Sequence, residues 1–220
     1  MAATPIGLIR VLTTTDRTLL ESHGKQLAAA FPQLGISSLC LSDQPEGVFD
    51  ARTEAQASAK MPDAARALVS AGARAIIISC AGDPGLEVAQ AAVDVPVVGA
   101  GMAAAAAALT FGLPVGVLGL THEVPHRMAR TLGSHLLHSL SPAGVRTTLD
   151  LLTPAGRAAT LVAGRFLRDQ GAGVICLACT GMSTAGLAPI LRRDLGIPII
   201  DPVLATGGTI LTRLALEGLR

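Results

Sequence analysis

Tryptophan and tyrosine are absent from this 220-residue chain, and its aromatic content stops at four phenylalanines. Charge is scarce too: 15% of residues carry it, 17 basic against 16 acidic, for a net +1. Each shortage excludes something. Nucleic acid is held by basic grooves and stacked rings, and this composition supplies neither, so no nucleic-acid partner is expected. A binding surface here has no Trp or Tyr anchor to rely on. Glycine and proline, at 24 and 13 residues, stay below the ~25–30% that marks low-complexity sequence. What remains is a chain that is 50% hydrophobic, long enough to bury a core as one domain or as two small lobes.

Four cysteines, at 40, 80, 176 and 179, are too few and too spread to form a disulfide framework in a chain of this length. The opening residues carry no basic stretch, and Arg10 breaks the first apolar run, so a reduced, cytoplasmic setting is expected. From Val95 to Leu120 there is no charged residue, which is long enough to span a bilayer. The stretch is built of Gly, Ala and two prolines, however, and divides into an apolar run, an Ala-rich stretch and a second apolar run. It reads as strand, buried helix, strand, and no membrane is expected.

Short apolar runs recur along the whole chain at Ile6–Leu12, Ile36–Leu41, Ala75–Ser79, Val95–Val98, Val115–Leu120, Val174–Ala178 and Ile197–Ile200. Helix-like spacing separates them at Thr15–Phe31, Ala51–Ala71, Ala155–Gln170 and Thr209–Leu219. Alternating strand and helix with continuously apolar strands predicts an α/β fold whose parallel sheets are covered on both faces.

An internal repeat refines this. The stretch Arg66 to Gly82 is answered by Arg165 to Gly181 at a constant offset of 99 residues. Identical pairs include Arg66/Arg165, Leu68/Leu167, Gly72/Gly171, Ala73/Ala172, Cys80/Cys179 and Gly82/Gly181. Val95-Pro96-Val97-Val98 is answered by Ile197-Pro198-Ile199-Ile200, and Gly7–Thr13 loosely by Gly116–Thr121. A period this long means a duplicated α/β unit, not a solenoid. The predicted lobes are 1–98, completed by a C-terminal helix at 208–220, and 99–207, with the active site expected in the cleft between them.

Cys80 and Cys179 each stand where an apolar strand ends, followed by a small residue, a glycine and a helix start. Open α/β sheets bind ligands at the carboxyl ends of their strands, and a helix N-terminus favours thiolate. Two opposed thiols suit a racemase without cofactor or metal: one removes a proton from a carbon beside a carbonyl, the other returns a proton to the opposite face. Buried core cysteine is the alternative for either residue alone; equivalent placement in both repeats favours catalysis.

Cys80-Ala81-Gly82-Asp83-Pro84-Gly85-Leu86 resembles the Cys-Phe-Gly-Asp-Pro-Gly-Leu segment of hydantoin and allantoin racemases, and Cys179-Thr180-Gly181-Met182-Ser183 resembles their second-cysteine segment. Ile197 to Pro202 also fits the wider aspartate/glutamate racemase superfamily. The resemblance covers essentially the whole chain. It implies two pseudo-symmetric lobes, no cofactor, no metal, and proton transfer between Cys80 and Cys179. Departures bear on substrate. Ala81 replaces the family's Phe, and Leu12-Thr13-Thr14-Thr15 stands where Asn-Pro-Asn-Thr is usual. Cys-Ala-Gly and Cys-Thr-Gly replace the Cys-Asn-Thr and Cys-Thr-His of glutamate racemases. The expected substrate is therefore a 5-substituted hydantoin or allantoin-like compound, with an amino-acid racemase or a maleate-type isomerase as alternatives. The expected partner is a small-molecule substrate, and the chain is expected to form a homo-oligomer.

Thr13, Thr14, Thr121, Ala81, Gly82, Thr180 and Gly181 are candidate substrate-binding residues, although the threonines suit helix capping equally. Arg10 has two readings: a substrate ligand, or a donor to buried carbonyls. Asp83 either holds a turn or accepts a substrate N–H, Asp201 lines the site or caps a helix, and His122 and His126 either reach the site or face solvent. Cys40 and Cys176 read as core. Gly99-Ala100-Gly101-Met102-Ala103-Ala104 matches the dinucleotide-binding GxGxxA pattern, which keeps open a nucleotide- or small-molecule-binding module with idle cysteines.

Overall fold

The computed structural model describes residues 3–121 and 123–218. The chain divides into two compact units, Met1–Ala100 with Val203–Arg220, and Gly101–Pro202. The first holds β1 (Thr4–Arg10), α1 (Arg17–Ala30), β2 (Leu34–Cys40), α2 (Ala51–Ser70), β3 (Ile76–Ser79), α3 (Leu86–Gln90) and β4 (Val97–Gly99). α4 (Ala100–Leu109) leads into β5 (Val115–Leu118), α5 (His126–Leu132), β6 (Leu136–Leu140) and α6 (Pro154–Asp169). β7 (Val174–Leu177), α7 (Thr180–Thr184), α8 (Leu187–Leu195), β8 (Ile199–Ile200) and α9 (Pro202–Glu217) complete the chain.

Each unit contains a four-stranded parallel sheet, ordered β2-β1-β3-β4 and β6-β5-β7-β8. The two orders are the same, as duplication requires. In this order the direction in which successive strands are added reverses between the two central strands, β1/β3 and β5/β7, and such a switch point is where open α/β sheets receive ligands. The central strands are buried on both faces, which explains their unbroken apolar sequence.

Strand and helix meet closely at matched places in the repeat. A Cβ on Gly7 in β1 would lie 2.9 Å from Leu68 Cβ, and one on Gly116 in β5 would lie 3.2 Å from Leu167 Cβ. The repeated leucines of α2 and α6 thus seat on a glycine of the neighbouring central strand. Around them Met61, Ala65, Ile76 and Ile78 form the first core, and Ile175, Leu177, Leu187 and Leu191 the second.

Several boundaries differ from the sequence expectation. α9 begins at Pro202 rather than Thr209. Proline suits a first helical turn, and the Gly207-Gly208 pair that obscures the helix in sequence has a packing reason: a Cβ at Gly207 would strike the Phe31 ring. Pro96 stands just before β4, its carbonyl accepting from Ile76 N at 2.8 Å. The uncharged stretch is strand, Ala-rich helix, strand, as its composition suggests, and no described helix is long and apolar enough to cross a membrane.

Candidate active site

In the first unit, Cys80 follows β3 directly and is 9% exposed. The loop behind it is tightly wound. Asp83 N–H donates to Cys80 O at 3.1 Å, and Leu86 N–H to Asp83 O at 3.3 Å. Asp83 sits at φ 52°, a left-handed conformation in which Asp is among the more tolerant residues. Gly85, at φ 64°, lies against α2, where an added Cβ would come 2.8 Å from Ser58 O. That carbonyl lacks its usual helical donor because Pro62 stands four residues on and has no N–H.

In the second unit, Cys179 is 8% exposed and N-caps α7. Burial pushes its thiol up to about 11, while donation from the Gly181 and Met182 backbone N–H groups to the sulfur works the other way. Those amides are the oriented donors that a thiolate needs. Gly181 is required here twice over, since a Cβ would fall 2.9 Å from Thr148 Cβ and 3.2 Å from Cys179 Sγ.

The other predicted residues divide by unit. Ala81 and Gly82 adjoin Cys80, and Thr180 and Gly181 adjoin Cys179. Thr13 and Thr14 follow β1, and Thr121 follows β5, each beside a switch point. Their hydroxyls are engaged locally. Thr13 Oγ1 donates to Leu41 O (2.7 Å) and accepts from Gln44 N (2.7 Å), Thr14 Oγ1 accepts from Asp16 N (3.1 Å), and Thr121 Oγ1 donates to Glu123 O (2.9 Å). Arg10 is 3% exposed, and its guanidinium donates to Leu19 O (2.6 Å), Leu20 O (3.3 Å) and Ser22 Oγ (3.1 Å). Of its two readings, the donor to buried carbonyls is the one these bonds display, and burial lowers its pKa to about 10. His126 is exposed at the start of α5; His122 lies outside the described residues. Cys40 is half-buried at the end of β2, and Cys176 is fully buried within β7.

The dinucleotide-like motif has no loop for a phosphate. β4 ends at Gly99, α4 starts at Ala100, and the Asp83 carboxylate lies where a Gly99 Cβ would be. The Asp83 side chain thus occupies the place where the motif would receive a phosphate.

Three buried polar contacts escape sequence reasoning. Buried His23 places Nδ1 2.8 Å from Ser79 Oγ, one residue before Cys80. Buried Gln44 donates through Nε2 to Thr53 O at 2.9 Å, while its Oε1 is buried without a hydrogen-bond partner. Ser183 Oγ donates to Asp201 Oδ1 at 2.7 Å, both residues buried. Only the Asp201 carboxylate and the small residues after each cysteine give any sequence signal for such contacts.

The buried thiols make one prediction for stability. Below pH 9 a thiol is protonated in both folded and unfolded chains. Above it the unfolded thiol ionises, while Cys176, pushed up to about 12 by burial, holds its proton. Stability therefore falls between about pH 9 and 12. A Cys176→Val variant is expected to show a shallower alkaline decline than the parent, read by chemical denaturation across that range; equal slopes would contradict the assignment.

The model of the Asp/Glu/Hydantoin racemase family matches residues 6–207. A hydantoin racemase from Paenarthrobacter aurescens is 35% identical over 138 residues, covering 60% of this chain and 57% of that protein. One from Pseudomonas sp. (strain NS671) is 27% identical over 147 residues, covering 61% and 55%. The chain thus spans little more than half the length of these two curated relatives. Among solved structures, the allantoin racemase from Klebsiella pneumoniae superposes with a TM-score of 0.79 at 27% identity, covering 98% of this chain and 89% of that one. Glutamate racemase from Francisella tularensis, at 16% identity and a TM-score of 0.69, covering 100% of this chain and 84% of that one, shares the fold. Two α/β units of one strand order, each with a cysteine at the same strand end, belong to a chain of the Asp/Glu/hydantoin racemase family.

Proposed function

We propose that this protein is a cofactor-independent racemase of small cyclic ureides, 5-substituted hydantoins or allantoin-like compounds, and that Cys80 and Cys179 are its catalytic pair. The observation that carries the reading is the equivalent placement of the two thiols, each after the second central strand of its sheet, beside the switch point. The names of the hydantoin and allantoin racemase relatives supply the substrate class.

The chemistry balances without an external reagent. One cysteine, as thiolate, takes the proton from the ring carbon beside the carbonyl and becomes a thiol, and the electron pair is delocalised onto the carbonyl oxygen. The other cysteine, as thiol, gives its proton to the opposite face and is left as thiolate. Backbone amides around Ala81–Gly82 and Thr180 are the proposed donors to the ring oxygens, with Thr13, Thr14 and Thr121 shaping the approach. In this scheme Arg10 braces α1 beneath the first sheet.

Incubation with single enantiomers of allantoin and of alkyl and aryl hydantoins in D2O tests the reading. Loss of optical rotation with matching deuteration at the ring carbon, faster than the buffer reaction, is the expected result. Exchange confined to free aspartate or glutamate would replace the ureide with an amino acid, and no exchange in any of these would reject racemisation.

A further inference from the structure

We infer that each cysteine loop is held in position by a buried carboxylate latch, and that the two halves build the same latch from opposite sides. The inference rests on the reading of Cys80 and Cys179 as the reacting thiols. In the first unit the carboxylate belongs to the loop: Asp83, three residues after Cys80, is 1% exposed and presses its carboxylate on Gly99, the last residue of β4. In the second unit the carboxylate belongs to the strand end: Asp201 follows β8, and Ser183, four residues after Cys179, donates to it at 2.7 Å. Gly99 and Asp201 are equivalent places, each following the paired Val-Val and Ile-Ile residues and standing immediately before a helix.

The exchange accounts for two residue choices that otherwise look unrelated. Gly99 lacks a side chain because Asp83 already fills that space. Asp83 adopts a left-handed backbone, and from that turn its carboxylate reaches Gly99. Where the strand end supplies Asp201, the loop needs only a hydroxyl, and it has Ser183. Neither carboxylate is placed on the substrate; both are positioning residues that act through the loops carrying the thiols.

A misplacement of about 1 Å at a reacting group lowers rate by about 100-fold, so losing a latch should lower kcat by about 10- to 100-fold with a smaller change in KM. The decisive experiment moves the carboxylate. Asp83→Gly permits the left-handed turn and removes the acid; Gly99→Asp alone sets one carboxylate against another; the double variant Asp83→Ser/Gly99→Asp rebuilds the strand-end carboxylate and loop hydroxyl of the second half. Two readouts are taken on the folded full chain: kcat and KM for ring racemisation, and the iodoacetamide alkylation rates of Cys80 and Cys179 measured by peptide mass spectrometry. Expected are a lowered kcat and an altered Cys80 alkylation rate in Asp83→Gly, an unchanged Cys179 rate, and recovery of both readouts in the double variant although Gly99→Asp alone is worse than the parent. Ser183→Ala should disturb Cys179 and leave Cys80 alone. If Asp83→Gly does not fold, Asp83→Asn, which keeps the turn and the shape, carries the same readouts. Parental kcat and Cys80 alkylation in the Asp83 variant, or no recovery from Gly99→Asp, would overturn the latch. Alkylation needs no substrate, so the latch is judged even if the ureide reading fails.

Discussion

Alanine at either Cys80 or Cys179 should lower ring racemisation by about 10³-fold or more, near the range that a positioned acid or base supplies. In the proposed scheme each thiol is needed in both directions of the reaction, as base in one and as acid in the other, so neither loss is expected to be confined to one enantiomer. The two groups act as a unit, and the double variant should be little worse than either single one. Both sulfurs are nearly buried, but alanine removes a single heavy atom there, so the fold should survive with modest loss. Thermal melting of the variants checks that the rate effect is chemical. A single variant retaining parental turnover would remove that cysteine from the mechanism.

The largest structural effect is expected at Gly7. An added methyl would lie 2.8 Å from Ile76 Cδ1, 2.8 Å from Leu68 Cδ1 and 2.9 Å from Leu68 Cβ. The two terminal methyls can rotate away; Leu68 Cβ moves only with α2. At Gly116 the nearest atoms are Ala172 Cβ at 3.0 Å and Leu167 Cβ at 3.2 Å, which asks less of α6. Gly7→Ala should therefore destabilise by about 2–3 kcal/mol, within the overpacking range, and lower Tm by roughly 4–12 °C in a protein of this size. Gly116→Ala should cost about half as much on the same scale. Differential scanning calorimetry compares them directly, and equal or reversed effects would contradict this packing.

Much of the architecture is readable in the chain because the duplicated residues are the ones that packing constrains. Leu68 and Leu167 recur because each meets a glycine on a central strand; Gly72 and Gly171 recur because both adopt φ near 97°, at 96° and 98°. Buried parallel strands appear as unbroken apolar runs. Elements outside those constraints are hard to see. β6 is an edge strand whose His138 faces outward, and its mixed sequence hides it. α7 is a single turn.

The site follows the same division. The cysteines are legible because they repeat. His23, Gln44 and Thr148 are not, since a polar side chain inside a helix or loop reads as solvated until its buried partner is known. Arg10 is ambiguous for a related reason: a guanidinium at a strand end reaches a ligand or a helix carbonyl with the same atoms, and only the position of α1 decides. Asp83 and Asp201 look like a turn residue and a helix cap, and their common role appears only when Gly99 is recognised as the place that one of them vacates.

The central claim is that the two thiols serve opposite faces of one carbon. Cys80→Ser and Cys179→Ser, each incubated in D2O with each pure hydantoin or allantoin enantiomer, test it most directly. The account predicts that each variant deuterates one enantiomer without racemising it, and that the two variants choose opposite enantiomers. Deuteration of the same enantiomer by both, or racemisation of both enantiomers by either at the parental rate, would contradict it.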